Sequence, residues 1–269
     1  MGIKTMNKSD ITKPVMEQNF IPDIDKYCDE WCERCAFTAR CENYATHKMD
    51  YSETEENDVS SEVFWEKFAG TLQTAKNMLT EIIEREGIDL NTPEMDAMMA
   101  EQQEHDDIAW EHECSRDARA YTMMVKEWFD AAKELFDDKR DQLVLSAQLE
   151  LPNVNPVAEV NSIQAAIDVI NRYEIQISLK TIMAVRRTLI DKLKGFNDSP
   201  GEPEGYAKVA LIGIDRSVTA WSTLREHFSD REDEILDILI CLDRLRKKIE
   251  KTFPGARAFV RPGLDEIEP

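Results

Sequence analysis

Six cysteines are spread over 269 residues, and four of them crowd into "YCDEWCERCAFTARC", residues 27–41. Cys28, Cys32, Cys35 and Cys41 are spaced x3, x2 and x5. Thiolates are soft ligands, and four within one short intracellular segment suit a metal centre better than disulfides. A helical turn opened by Pro22 and Asp23 would put the first three thiols on one face, because steps of four and three residues return to nearly the same azimuth. Cys41 would then close the site from the loop beyond. Structural zinc sites usually join two short knuckles across a spacer of roughly a dozen residues or more, whereas compact four-cysteine runs are typical of cubane clusters. The expected cofactor is a [4Fe-4S] cluster held by these four thiols; the alternative is zinc, with His47 replacing a thiol. Trp31 and Phe37 would supply the apolar cover that limits solvent access. A plainer reading, four small apolar residues in a core, sits badly with the interleaved Asp29, Glu30, Glu33 and Arg34. Cys114 and Cys241 stand alone within helical patterns and read as packing residues.

Short resemblances point the same way. "CERCAFTARC" resembles the C-x2-C-x5-C run that holds part of a [4Fe-4S] cluster in RecB-type nucleases and in auxiliary domains of radical enzymes. "CDEWCERC" is similar to the C-x3-C-x2-C spacing of radical-SAM enzymes. Each resemblance implies a ligand set and no reaction, because the barrel of one family and the mixed sheet of the other are not visible in the rest of the chain. "FIPDIDKYCDEWCERCAFTARCENY" and "AKVALIGIDRSVTAW" together resemble a bacterial family of uncharacterised proteins, which implies no activity.

A second centre was sought among the carboxylates and histidines. Di-iron carboxylate bundles use Glu-x-x-His pairs, but His47, His105, His112 and His227 follow Tyr44, Gln102, Ala109 and Leu224 at that spacing. Glu174 and Asp215 fall where apolar residues are expected, within the seams Ile170–Ile177 and Leu211–Val218. Buried carboxylates need a positive partner, a hydrogen-bond network, a shifted pKa or a metal. Arg172, Lys180, Arg186 and Arg216 are the candidate partners. Together the pair would form a small polar pocket in a helical core; the plain alternative is a structural network. Glu101, His105 and His112 share a narrow sector of helix, opposite Trp110 and Tyr121, and so are expected to face solvent. No nucleophile and base pairing, phosphate loop or dinucleotide fingerprint accompanies them.

The elements that must position these residues read as helices throughout. Apolar positions recur at helical spacing from Val63 to Ile82, from Thr92 and Pro93 to about Ala147, from Pro156 through Ile177, and from Tyr206 to Ile249 with "FSDRED" interrupting. "LPNVNP" and "GFNDSPGEPEG" separate the later patterns, and no strand-like alternation or internal repeat appears. The expected fold is all-α, an antiparallel bundle of about four long helices with a small N-terminal Cys-rich metal-binding segment. Its parts would be an arm and Cys-rich segment over 1–50, the bundle over 51–254 and a tail over 255–269.

Fifty-four acidic against thirty-three basic residues give a formal charge of −21, which disfavours nucleic acid and anionic membranes as partners. The exception is "RLRKKIEKTFPGARAFVR", residues 244–261, with seven bases against one glutamate. Those bases complement a helix C-terminus or form a docking surface. With no secretory signal or membrane span, the chain is expected to be cytoplasmic, with a protein partner or a second copy of itself. The expected role is redox, sensing or electron transfer. The alternatives are a zinc-stapled interaction module without catalysis and a bundle-core carboxylate enzyme using Glu174 and Asp215.

Overall fold

The computed structural model describes residues 20–45, 62–87, 89, 92–149, 155–194 and 201–265. Among the described residues the regular structure is helical, without a strand. After a single turn, α1 (Ile24–Tyr27), come α2 (Glu62–Glu86), α3 (Pro93–Glu111), α4 (Glu113–Ala131), α5 (Lys133–Gln148), α6 (Pro156–Lys194), α7 (Glu202–His227) and α8 (Glu232–Thr252).

Local chemistry sets many of the ends. The Thr92 hydroxyl accepts the Met95 N–H at 3.2 Å and Pro93 occupies the first helical position, so α3 starts where the sequence predicts. His112 Nδ1 accepts the Cys114 N–H at 3.2 Å, which caps α4 and splits the expected second helix. Ala132 splits it again before α5. The fourth pattern divides at the 3₁₀ turn Ser229–Arg231, within "FSDRED".

Four helices supply most of the hydrophobic core. Tyr121, Val125 and Trp128 of α4 meet Ile170, Tyr173 and Ile177 of α6, Leu211, Ile214, Trp221 and Leu224 of α7, and Ile235, Ile238, Leu242, Leu245 and Ile249 of α8. Burying each large aliphatic side chain contributes about 1.5–3 kcal/mol. Trp128 stands edge-on to Trp221 with centroids 5.0 Å apart, and Trp221 Nε1 donates to the Tyr121 hydroxyl at 3.2 Å. α6 packs tightly on α7 at Gly213, where an added Cβ would lie 2.9 Å from Ile177 Cγ1 and 3.1 Å from Tyr173 Cδ1.

Two expectations change. The helix over residues 62–86 forms, but among its described side chains none joins that core, and Leu72, Met78, Leu79 and Ile82 on it are exposed. Within α3, His105 is buried and Trp110 is exposed, the reverse of the expected phase. The Arg119 guanidinium lies 3.8 Å over the Trp110 ring and donates to the Trp110 carbonyl at 2.8 Å, which holds the indole on the surface.

Candidate metal centre

The cysteine segment is a chain of tight turns. α1 ends at Cys28, whose N–H donates to Ile24 O at 2.9 Å, and 3₁₀ turns follow at Cys32–Arg34 and Thr38–Arg40. Glu30 sits between the first two cysteines in the left-handed region, at φ 54°. The expected helix carrying three cysteines is therefore broken after the first of them.

Backbone N–H groups meet two of the four sulfurs. Phe37 N–H donates to Cys35 Sγ at 3.4 Å and Tyr44 N–H to Cys41 Sγ at 3.3 Å. Such donors favour the thiolate. The Cys28 thiol donates instead to Asp25 O at 3.8 Å. Burial works against the thiolate and prevails at Cys28, whose thiol is pushed up to about 11. Cys32 is exposed, yet its thiol is also raised, first by partial burial and then by the charges of Cys41 and Cys35. Cys32 is thus within electrostatic reach of two other members of the set. Cys28 and Cys35 line one cleft of about 400 Å³ together with Trp31, Phe37, Arg34, Arg216 and Arg261. Cys28 also packs on the small core of Ile21, Ile24 and Cys41.

Among the described residues no group of three or more His, Cys, Asp or Glu side chains is set to hold a metal ion. A cubane is larger than one ion, and its thiolates stand further apart. The donor chemistry, four clustered thiols with N–H groups on two sulfurs, fits the cluster better than a lone ion. His47 lies outside the described residues.

What anchors the segment is a polar network from α6 and α7. Arg172 donates through Nε and Nη2 to Asp29 O at 3.1 and 2.9 Å, and Lys180 Nζ donates to Lys26 O at 3.0 Å. The Asp29 carboxylate accepts from the Tyr173 hydroxyl at 2.8 Å, from Trp31 N–H at 3.3 Å and from Arg216. Burial alone would raise the Asp29 carboxyl, but those hydrogen bonds and the Arg216 charge hold it below the usual carboxylate range. Trp31 packs edge-on to Tyr173, with Arg34 4.1 Å over the indole. Tyr27 stacks at a tilt against Phe259, 5.1 Å away, so residues after α8 also clasp the segment.

Arg172, Lys180 and Arg216, the expected partners of Glu174 and Asp215, are therefore engaged with the cysteine segment. Arg186 pairs with Asp106. Glu174 is half-buried near Tyr121, its carboxyl raised by desolvation, and its backbone oxygen accepts from Thr122 Oγ1 at 2.9 Å. Asp215 is paired instead with Arg257, whose Nη2 lies 3.2 Å from Oδ1. These different surroundings do not form the shared pocket expected of the two carboxylates.

The basic run is largely neutralised as well. Arg246 and Lys247 meet Asp243, Lys248 meets Asp117, Arg257 meets Asp215 and Glu250, and Arg261 meets Asp265. Cys114 is fully buried, its thiol 3.5 Å from Thr252 Oγ1, in keeping with a packing role. His227 lies 3.4 Å from Glu159 and 3.1 Å from Ser162 Oγ.

Sequence reasoning missed Tyr173, Lys180 and Arg172 as anchors. Arg172 and Lys180, with Gln176 between them, do recur at four-residue intervals along α6, but that spacing does not say what they hold. No family model, curated protein or solved structure matches the chain. No described helix is long and apolar enough to cross a membrane.

Proposed function

We propose that Cys28, Cys32, Cys35 and Cys41 hold a [4Fe-4S] cluster, carried on an antiparallel bundle, and that the protein serves redox, sensing or electron transfer with a protein partner. The observation that carries this reading is four clustered thiols, two of whose sulfurs accept a backbone N–H. A bound cluster would supply one-electron chemistry. The chain's own residues fix and shield it. Asp29, gripped by Tyr173, Arg172 and Arg216, holds the turn between the first two cysteines, while Trp31 and Phe37 exclude water. Exposed Cys32 marks the edge at which a partner would approach.

The test is metal analysis after purification without oxygen. About four irons and four sulfides per chain, lost in Cys32→Ser and Cys35→Ser and kept in Cys114→Ser, is the expected result. Equal retention in all three variants overturns the assignment. A colourless protein with about one zinc would favour the interaction module, for which the exposed apolar residues of α2 are the supporting observation.

A further inference from the structure

One stripe of α6 faces the cysteine segment along its length. Val169 lines the cleft with Cys28, Arg172 holds Asp29 O, Lys180 holds Lys26 O, and Arg187 lies 2.9 Å from Glu202, which also faces Lys26. At 3.6 residues per turn, Gln176 falls in the middle of this stripe, one turn from Arg172 and one from Lys180. The backbone opposite runs from Lys26 to Asp29 and includes Cys28. Gln176 is only 8% exposed, and neither its Nε2 nor its Oε1 has a hydrogen-bond partner. Leaving a buried amide in that condition is costly. Arg172 and Lys180, one turn away on either side, both have partners on the cysteine segment.

We infer that Gln176 is a positioning residue for the metal centre, donating its amide N–H to the Cys28 sulfur when that sulfur is a metal-bound thiolate. The inference rests on the four-cysteine reading. A thiol is a weak acceptor, whereas a thiolate is charged and accepts well, so metal loading creates the partner that the amide lacks. Donation into a cluster thiolate favours the more negative, reduced state, and it also orients the ligand.

The experiment compares the whole chain with Gln176→Leu and Gln176→Glu after anaerobic reconstitution. Iron, sulfide and zinc contents of the unaltered protein test the four-cysteine reading by themselves; midpoint potential and competition with a chelator test Gln176. Both variants should load metal, with the potential shifted negative, further in Gln176→Glu because it adds a charge, and metal affinity lowered about 10- to 100-fold. If the unaltered protein takes zinc, the chelator competition alone is read and the same loss is expected. Potential and affinity unchanged in a metal-loaded Gln176→Leu overturn the inference while leaving the four-cysteine reading intact. An unaltered protein that holds neither metal overturns both. Should Gln176→Leu fail to fold, Gln176→Met, of similar volume and with no N–H to donate, carries the same readouts.

Discussion

The Tyr173 hydroxyl donates to Asp29 Oδ2 at 2.8 Å, joining a residue between the first two cysteines to the middle of α6, 144 positions further on. The same carboxylate is held by Arg216, so α6 and α7 meet the segment at one point. Removing the hydroxyl in Tyr173→Phe keeps the ring that packs on Trp31 and deletes the bond. The expected loss is about 1.5–3 kcal/mol of stability, read by urea unfolding, with faster hydrogen exchange over residues 24–30. Unaltered exchange there would show that the network does not hold the segment.

Acid should release the same contact. Asp29 has a depressed carboxyl, so its stabilisation is fully present above the ordinary value of 3.8 and is lost as pH falls through its lower folded value. Asp29→Asn should flatten that dependence. Following exchange of residues 24–30 against pH in both proteins checks it, and parallel curves would remove Asp29 as the cause.

Cys28 titrates in the opposite sense. Its thiol is pushed up to about 11 from an ordinary 9.0, first by burial, so the metal-free fold keeps this contribution below pH 9.0 and loses it as pH rises towards 11. Alkylation of Cys28 followed by mass spectrometry should rise with a midpoint near 11. Because ligation needs thiolates, metal uptake at neutral pH should release protons, which a pH-stat can count.

Two glycines should respond with opposite signs. A Cβ at Gly205 would sit 2.2 Å from Tyr27 Cε1 and 2.9 Å from Phe259 Cζ, wedging the segment off α7. Gly205→Ala should cost about 1–3 kcal/mol and open residues 20–45 to limited proteolysis. Gly70, inside α2, has nothing within 4 Å of its added Cβ. Gly70→Ala should gain about 1 kcal/mol of helix propensity, visible as increased helicity by circular dichroism.

Glu202, 6% exposed in the first turn of α7, accepts from the Tyr206 hydroxyl at 3.3 Å and pairs with Arg187 at 2.9 Å. Glu202→Ala leaves a partly buried guanidinium with only Asp191, so a loss of about 3 kcal/mol is expected in thermal or urea unfolding. A loss below about 1 kcal/mol would place the pair among weak surface contacts.

Much of this organisation was legible before any coordinates. The Thr92 and Pro93 start of α3, the break within "FSDRED" and the apolar seam through Ile170 and Ile177 each follow from local chemistry. The error at His105 and Trp110 has a physical origin. A helical phase was carried from Trp110 to Tyr121 across His112, where α3 ends and α4 begins, and phase is not conserved through such a break. His112 is neither Gly nor Pro, so it gave no ordinary stop signal. The anchoring of the cysteine segment was illegible for another reason. Lys180 interrupts an apolar pattern, but only a tertiary contact shows that its partner is the backbone at Lys26. Glu174 and Asp215 drew attention instead because burial was assumed from periodicity.

The separation between Asp29 and Tyr173 also orders events during synthesis. At about 5–20 residues per second, the 144 intervening positions take roughly 7–30 s to translate. For that interval the four thiols have left the ribosome's peptidyl-transfer site ahead of the α6 surface that will cover them. On the four-cysteine reading, a metal donor would therefore have access to the nascent segment before the body that anchors it exists.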